Sequence, residues 1–237
     1  ILFPMYLMFV TSLKNNRQIF TKPFGLPGPV DFSGYIKLFT VSDYQIYFGN
    51  SIFVTLITLA LITLFTALAA YALAKYEFRA RILIYVFFVA GLIIPIRLGT
   101  IGILKTMIGM NLFDTQWSLI IVFLAMGIPL GIFILYDFIR MIPEELSNSA
   151  RIDGCSEHVI FRRIVMPLTK PALATVAIVN FIPVWNDFWF PLILIRSNEA
   201  KTVPLATALL FGQFETNFGM VFAVLSLTQI HMGVLLI

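Results

Sequence analysis

The sequence predicts an all-α, polytopic bundle of transmembrane helices, and three observations carry that prediction. Of 237 residues, 59% are hydrophobic and only 12% charged, about half the charged share of a soluble domain. The charges are clustered, so residues 44–74, 82–96, 115–136, 171–186 and 216–237 hold no Asp, Glu, Lys or Arg. These stretches do not alternate, whereas a transmembrane barrel would alternate polar and apolar positions. A helix bonds its own backbone amides, as lipid requires. A mean hydropathy of +0.94 agrees. Such a composition excludes a disordered chain, a nucleic-acid domain and a disulfide scaffold. Cys155 is the single cysteine, and the net charge is +4 with no long run of like charge.

Taken in order, the elements follow from length and punctuation. A crossing needs about 20 apolar residues. Ile1 to Leu13 reads as the end of a first span, and it lacks the basic n-region and cleavage site of a signal peptide. Lys14 to Asp43, broken by Pro23, Pro27 and Pro29, is expected to be an irregular loop. Residues 44–74 form the second span, and Lys75 to Arg81 a short basic turn. Residues 82–96 become a third span only by extending past Arg97 to about Leu104. Residues 97–116, with Gly99, Gly102 and Gly109, read as a re-entrant or interfacial stretch. Residues 115–136 form the fourth span. The fifth, from Pro171 to Ile195, is interrupted at Asp187. Residues 196–215 are expected to be a loop, and 216–237 a sixth span. The bundle thus has about six spans in a single domain, 1–237, with the first and last truncated, since both ends look like cuts. Basic residues are equal in number on the two sides. The crowding of Lys75, Arg79 and Arg81 favours their side, shared with 137–170, as cytoplasmic.

The polar block from Ile142 to Pro171 is too charged to insert and too regular for a slack linker. Pro143 suits a first helical turn. Glu144 and Glu145 follow at the positive end of the helix dipole. Gly154 suits a left-handed helix end. Ser156 is placed to cap a second helix, with Glu157 in its first turn, and Pro167 to close it. Two short helices joined at a glycine should lie along the membrane face. They form either an interfacial hairpin without a partner or a docking element for a soluble subunit. In the second case Ile152, Val159, Ile160 and Phe161 supply apolar contact.

Asn148–Ser149–Ala150, three residues, Gly154, nine residues, then Ile164–Val165–Met166–Pro167 has the spacing of the EAA–x3–G–x9–I–x–L–P signature. In this the chain resembles the inner-membrane permease subunits of binding-protein-dependent ABC importers. Ala150–Arg151–Ile152–Asp153–Gly154, Trp185–Asn186–Asp187–Phe188 and Ala69–Ala70–Tyr71–Ala72–Leu73–Ala74 are similar to the carbohydrate branch, of the maltose-permease (MalG-like) type. The likeness covers nearly the whole chain. Asn148 stands where the family has glutamate, Ser149 where it has alanine and Met166 where it has leucine.

The resemblance implies a permease subunit that is not itself an enzyme, in a bacterial-type cytoplasmic (inner) membrane, importing a mono- or oligosaccharide. It implies four kinds of contact: a second, homologous permease subunit, two cytoplasmic ABC ATPase subunits, an extracytoplasmic sugar-binding protein, and membrane lipid. No nucleic acid is expected. Residues 143–167 would then be the cytoplasmic coupling loop, with Asn148, Ser149, Ala150, Arg151, Asp153, Gly154, Ile164 and Pro167 at the ATPase. The sequence holds no G-x-x-x-x-G-K-[ST] phosphate loop, so ATP and Mg are expected on the partner ATPase and no cofactor on this chain.

Trp185, Asn186 and Asp187 are candidates for the sugar path. An indole face can stack on a sugar's C–H side while amide and carboxylate bond its hydroxyls. Equally, Asn186 and Asp187 can break the helix while Trp185 and Trp189 anchor at the interface. Gly127 and Gly131, with Thr66, Ala70 and Ala74, have the spacing for close helix packing. Asp137 and Arg140 are expected to pair locally. His158 and His231 are too far apart to suggest a metal site. Two rival classes remain: an ion-coupled secondary transporter of a small polar solute, which favours ionisable groups in several spans, and a membrane-embedded enzyme, which needs clustered His, Cys or carboxylates.

Overall fold

The computed structural model describes residues 2–213 and 218–235, and it is helical with no strand among them. The helices are α1 (Leu2–Ser12), α2 (Asn16–Thr21), α3 (Ser33–Val41), α4 (Tyr44–Lys75), α5 (Arg81–Gly91), α6 (Thr100–Gly109), α7 (Gln116–Arg140), α8 (Glu144–Ile152), α9 (Glu157–Ile160), α10 (Met166–Leu168), α11 (Lys170–Asn186), α12 (Trp189–Leu194), α13 (Val203–Gln213) and α14 (Phe218–Leu235). Short 3₁₀ turns stand at Ile96–Gly99 and Asn198–Ala200, and a π-helical turn at Phe161–Val165 joins α9 to α10.

The chain divides into two compact units. In the unit of residues 54–186, α7 packs on α5 and α11. Its core gathers Ile62, Ala70, Tyr71, Leu135, Ile139, Ile160, Val165 and Val176. The small residues act as predicted. A Cβ on Gly131 would sit 2.7 Å from Thr66, and one on Gly127 would meet Ile62 and lie 2.7 Å from Asn180 Oδ1. Close approach of α7 to its neighbours therefore depends on both glycines. In the other unit, of residues 1–53 and 187–237, α14 packs on α1, α2, α3 and α13. Leu38, Tyr44, Val203, Met220 and Ala223 form its core. Asn50 Nδ2 donates to the carbonyls of Glu199 and Lys201 at 2.7 and 2.9 Å, and Ser51 Oγ accepts from Val203 N–H at 2.8 Å.

Several span boundaries differ from expectation. Among the described residues, only α4, with 32 residues, and α7, with 25, are single helices long and apolar enough to cross a membrane; α4 extends for about 48 Å. The expected third span is broken: α5 and the helical stretch 96–109 meet at a bend of 86°. Pro95 removes an amide donor there and turns the preceding residue away from helical geometry. The fifth span ends at Asn186 and restarts at Trp189. Parts of the first and sixth spans, with the side chain of His231, lie outside the described residues. Both long loops hold helices that were not expected. In 14–43, Asn15 Oδ1 accepts from Gln18 N–H to start α2, and Asp31 Oδ1 accepts from Ser33 N–H to start α3. In 196–215, α13 fills Val203–Gln213. Arg140 lies over the Tyr136 ring, 5.5 Å from its centroid, and among the described residues it makes no ion pair with Asp137.

Candidate functional site

The block between α7 and α11 folds by local rules. Pro143 immediately precedes α8, Glu144 and Glu145 occupy its first turn, and Arg151 its last, as the dipole favours. Gly154 has φ +79°. Its N–H reaches the Arg151 carbonyl at 3.0 Å, and Cys155 N–H reaches that of Ala150 at 2.9 Å. These two bonds make the Schellman closure that a glycine permits. The second helix departs from expectation at both ends. Ser156 stands at the N-cap, but its hydroxyl caps nothing. Pro167 does not close the helix, which runs on to Leu168 before a 71° bend into α11. The π turn explains this: Met166 N–H reaches back five residues to Phe161 O, so the ladder has already widened where a proline would otherwise clash.

Glu157 holds the block together. Arg151 Nε donates to Glu157 Oε1 at 2.6 Å and Arg151 Nη2 to Oε2 at 3.3 Å, across the Gly154 turn. Two tyrosine hydroxyls bond the same Oε2: Tyr71, near the end of α4, at 3.1 Å, and Tyr76, just beyond it, at 2.9 Å. Arg151 Nη1 also donates to Asn148 Oδ1 at 2.8 Å. The Arg151 bonds hold the Glu157 carboxyl down at about 2, against partial burial, with help from the tyrosines. Burial and the bond to Glu157 push the Tyr76 hydroxyl above its ordinary range. Both partners of the ion pair are well exposed, at 41% and 42%, so solvent screens the pair and it adds little to stability. Its consequence is geometric. Lys75, the last residue of α4, adds a second tie by donating from Nζ to Ile142 O at 2.8 Å.

The residues singled out from the sequence fall into two groups. Asn148, Ser149, Arg151, Asp153, Gly154 and Pro167 are exposed, as are Glu144 and Glu145; Ala150 is buried and Ile164 half-buried against the core. Ile152 is 87% exposed, but Ile160 is fully buried in the core. The expected apolar contact surface therefore loses Ile160 and centres on Ile152. Sequence reasoning missed the gathering of Glu157, Tyr71, Tyr76 and Lys75. The one available signal was two tyrosines flanking a lysine at the edge of a span.

Trp185 is buried at 2% exposure and stacks on Phe181, with centroids 5.8 Å apart. Asn186 Nδ2 donates to Ile182 O at 2.9 Å. Asp187 Oδ1 accepts from Phe190 N–H at 2.8 Å and so starts α12. A cavity of about 610 Å³ lies between α5 and α7, lined by residues including Phe87, Phe88, Gly91, Met126 and Pro129. Its walls carry no side chain that could hydrogen-bond a sugar.

Comparison with known proteins gives a consistent result. Residues 62–231 match the family described as binding-protein-dependent transport system inner membrane component. The chain is 31% identical over 232 residues to the diacetylchitobiose uptake system permease protein NgcG of Streptomyces coelicolor, covering 97% of this chain and 77% of that one. It is 32% identical over 233 residues to the arabinooligosaccharides transport system permease protein AraQ of Bacillus subtilis, covering 94% and 82%. Among solved structures it resembles a bacterial ABC transporter involved in the import of the acidic polysaccharide alginate. There the TM-score is 0.82 at 25% identity, over 98% of this chain and 87% of that one.

Proposed function

This chain belongs to the binding-protein-dependent transport system inner membrane component family, and from that premise we propose that it is the permease subunit of an ATP-driven importer of a mono- or oligosaccharide. The relatives named for diacetylchitobiose, arabinooligosaccharides and alginate support a sugar as cargo, and they favour this reading over an ion-coupled transporter. Residues 1–237 serve as one permease domain beside a second permease. Two ATPase subunits carry ATP and Mg, and an extracytoplasmic binding protein delivers the sugar.

The observation that carries the reading is the exposed, internally closed pair α8–α9. Ile152 stands out from it, with Asn148, Ser149, Asp153 and Gly154 around it and Glu144 and Glu145 on the same helix. Such an element suits a cleft on a cytoplasmic ATPase. When ATP closes the ATPase pair, a stiff loop follows the surface that grips it and moves the helices on either side. ATP must favour the outward-facing arrangement, since a ligand shifts an equilibrium only by its differential affinity. Asn148 carries no charge and accepts from Arg151, so Glu144 and Glu145 supply the acidic contact in its place. Trp185 is buried against Phe181 and Asp187 starts α12, which favours a break in the helix here over a sugar path lined by Trp185, Asn186 and Asp187. The test is reconstitution in vesicles with candidate ATPase, second permease and binding protein. Uptake that requires ATP and the binding protein supports the reading. Uptake driven by an ion gradient without an ATPase overturns it.

A further inference from the structure

A coupling loop can move only the helices to which it is fastened. Covalent connection fastens this loop to α7 at one end and α11 at the other. α4 is not adjacent to it in the chain: Tyr71 and Glu157 are 86 residues apart. Yet the end of α4 grips the loop at two places. Lys75 holds the Ile142 carbonyl ahead of α8, and Tyr71 and Tyr76 hold Glu157 at the start of α9. A single hydrogen bond leaves a rod free to swivel. Two grips on opposite sides of the Gly154 turn do not. The second grip is also stiffened from within the loop, because Arg151 fixes the same carboxylate by two donors. The Tyr71 ring is further wedged between Tyr76 and Phe161, at centroid distances of 5.7 and 5.0 Å.

We propose that Glu157 is a positioning residue that fastens α4 to the coupling loop, so that α4 is driven together with α7 and α11. The inference rests on the proposed function, since a loop without a motor has nothing to transmit. Glu157 acts here through the tyrosines and touches neither nucleotide nor sugar. Its side chain is engaged by Arg151, Tyr71 and Tyr76, while Ile152 and the acidic residues of α8 remain for the ATPase.

The test uses the complete importer in vesicles and reads sugar moved per ATP hydrolysed, beside retention of the ATPase on the purified permease. Two variants are compared with the wild type: Glu157→Ala, and the pair Tyr71→Phe with Tyr76→Phe, which keeps both rings and the Arg151–Glu157 pair but removes the two hydroxyls. The expected result is retained ATPase and a ratio lowered about tenfold in each, the loss that follows from hydrogen bonds to a charged group. Combining all three substitutions should lower it no further than Glu157→Ala, because they break one contact. An unchanged ratio in the tyrosine pair overturns the proposal. So does loss of the ATPase from that pair, which would make Glu157 a residue for folding the dock. A wild-type permease that neither holds an ATPase nor needs ATP would instead sink the proposed function, and is read separately.

Discussion

Arg151 and Glu157 meet side by side across the Gly154 turn, Nε to Oε1 at 2.6 Å, and they close α8 onto α9 where the backbone alone would leave a hinge. The pair sets the pH behaviour of the loop. Glu157 is depressed to about 2 from an ordinary 4.5. A carboxyl depressed on folding adds stability above its unfolded value, and that contribution is lost as pH falls through the folded one. Hydrogen-exchange protection of residues 144–168 should therefore stay level from pH 8 to about 5 and fall only below that. Loss of protection near neutrality would contradict the assignment.

Gly154 separates backbone strain from contact with a partner. At φ +79°, any side chain is strained, yet a Cβ there meets nothing within 4 Å. Gly154→Ala should cost about 1–2 kcal/mol of local stability. Gly154→Trp carries the same strain and adds bulk at a position where the Cβ has open space around it. If the turn seats in an ATPase, only the tryptophan variant should lose the ATPase in a pull-down. Equal retention would place the ATPase contact elsewhere.

Ile152 and Ile160 lie in the same short block and should behave oppositely. Ile152→Ala, at 87% exposure, should change thermal stability by about 0.5 kcal/mol or less while weakening ATPase association. Ile160→Ala empties a fully buried core position and should cost about 2–5 kcal/mol. Melting curves in detergent, run beside the association assay, distinguish the two.

Gly131 tests the packing of α7. A Cβ there would come within 2.7 Å of Thr66, and overpacking of this kind costs about 1–3 kcal/mol. Gly131→Ala should lower the melting temperature. Thr66→Ala, which removes the obstructing atoms, should restore part of the loss.

What the sequence made legible depended on how local the cause was. Gly154, Glu144 and Glu145 were readable because a helix end is decided by its nearest neighbours in the chain. Gly127 and Gly131 were readable because small residues at that spacing have one common use. The facing of Ile160 was not, because a π turn follows it directly, and simple helical spacing gave no sign of where the face would turn. The grip of Tyr71 and Tyr76 on Glu157 depends on α4 ending beside the loop, and no local rule encodes that. Within the site, Arg151 and Asn148 were both expected at the ATPase, and their mutual bond becomes visible only once α8 is built. The short helices α2 and α3 escaped notice because three prolines lie between them, although Asn15 and Asp31 were available as starting signals.

The widened turn at Phe161–Val165 has one more consequence. An extra residue is accommodated there without lengthening the coil by a regular step. Deleting one residue from it would restore the ordinary ladder and leave the faces on either side close to their present phase. A one-residue deletion in this stretch should therefore be tolerated better than a one-residue insertion, which would turn the loop by about 100° relative to α11.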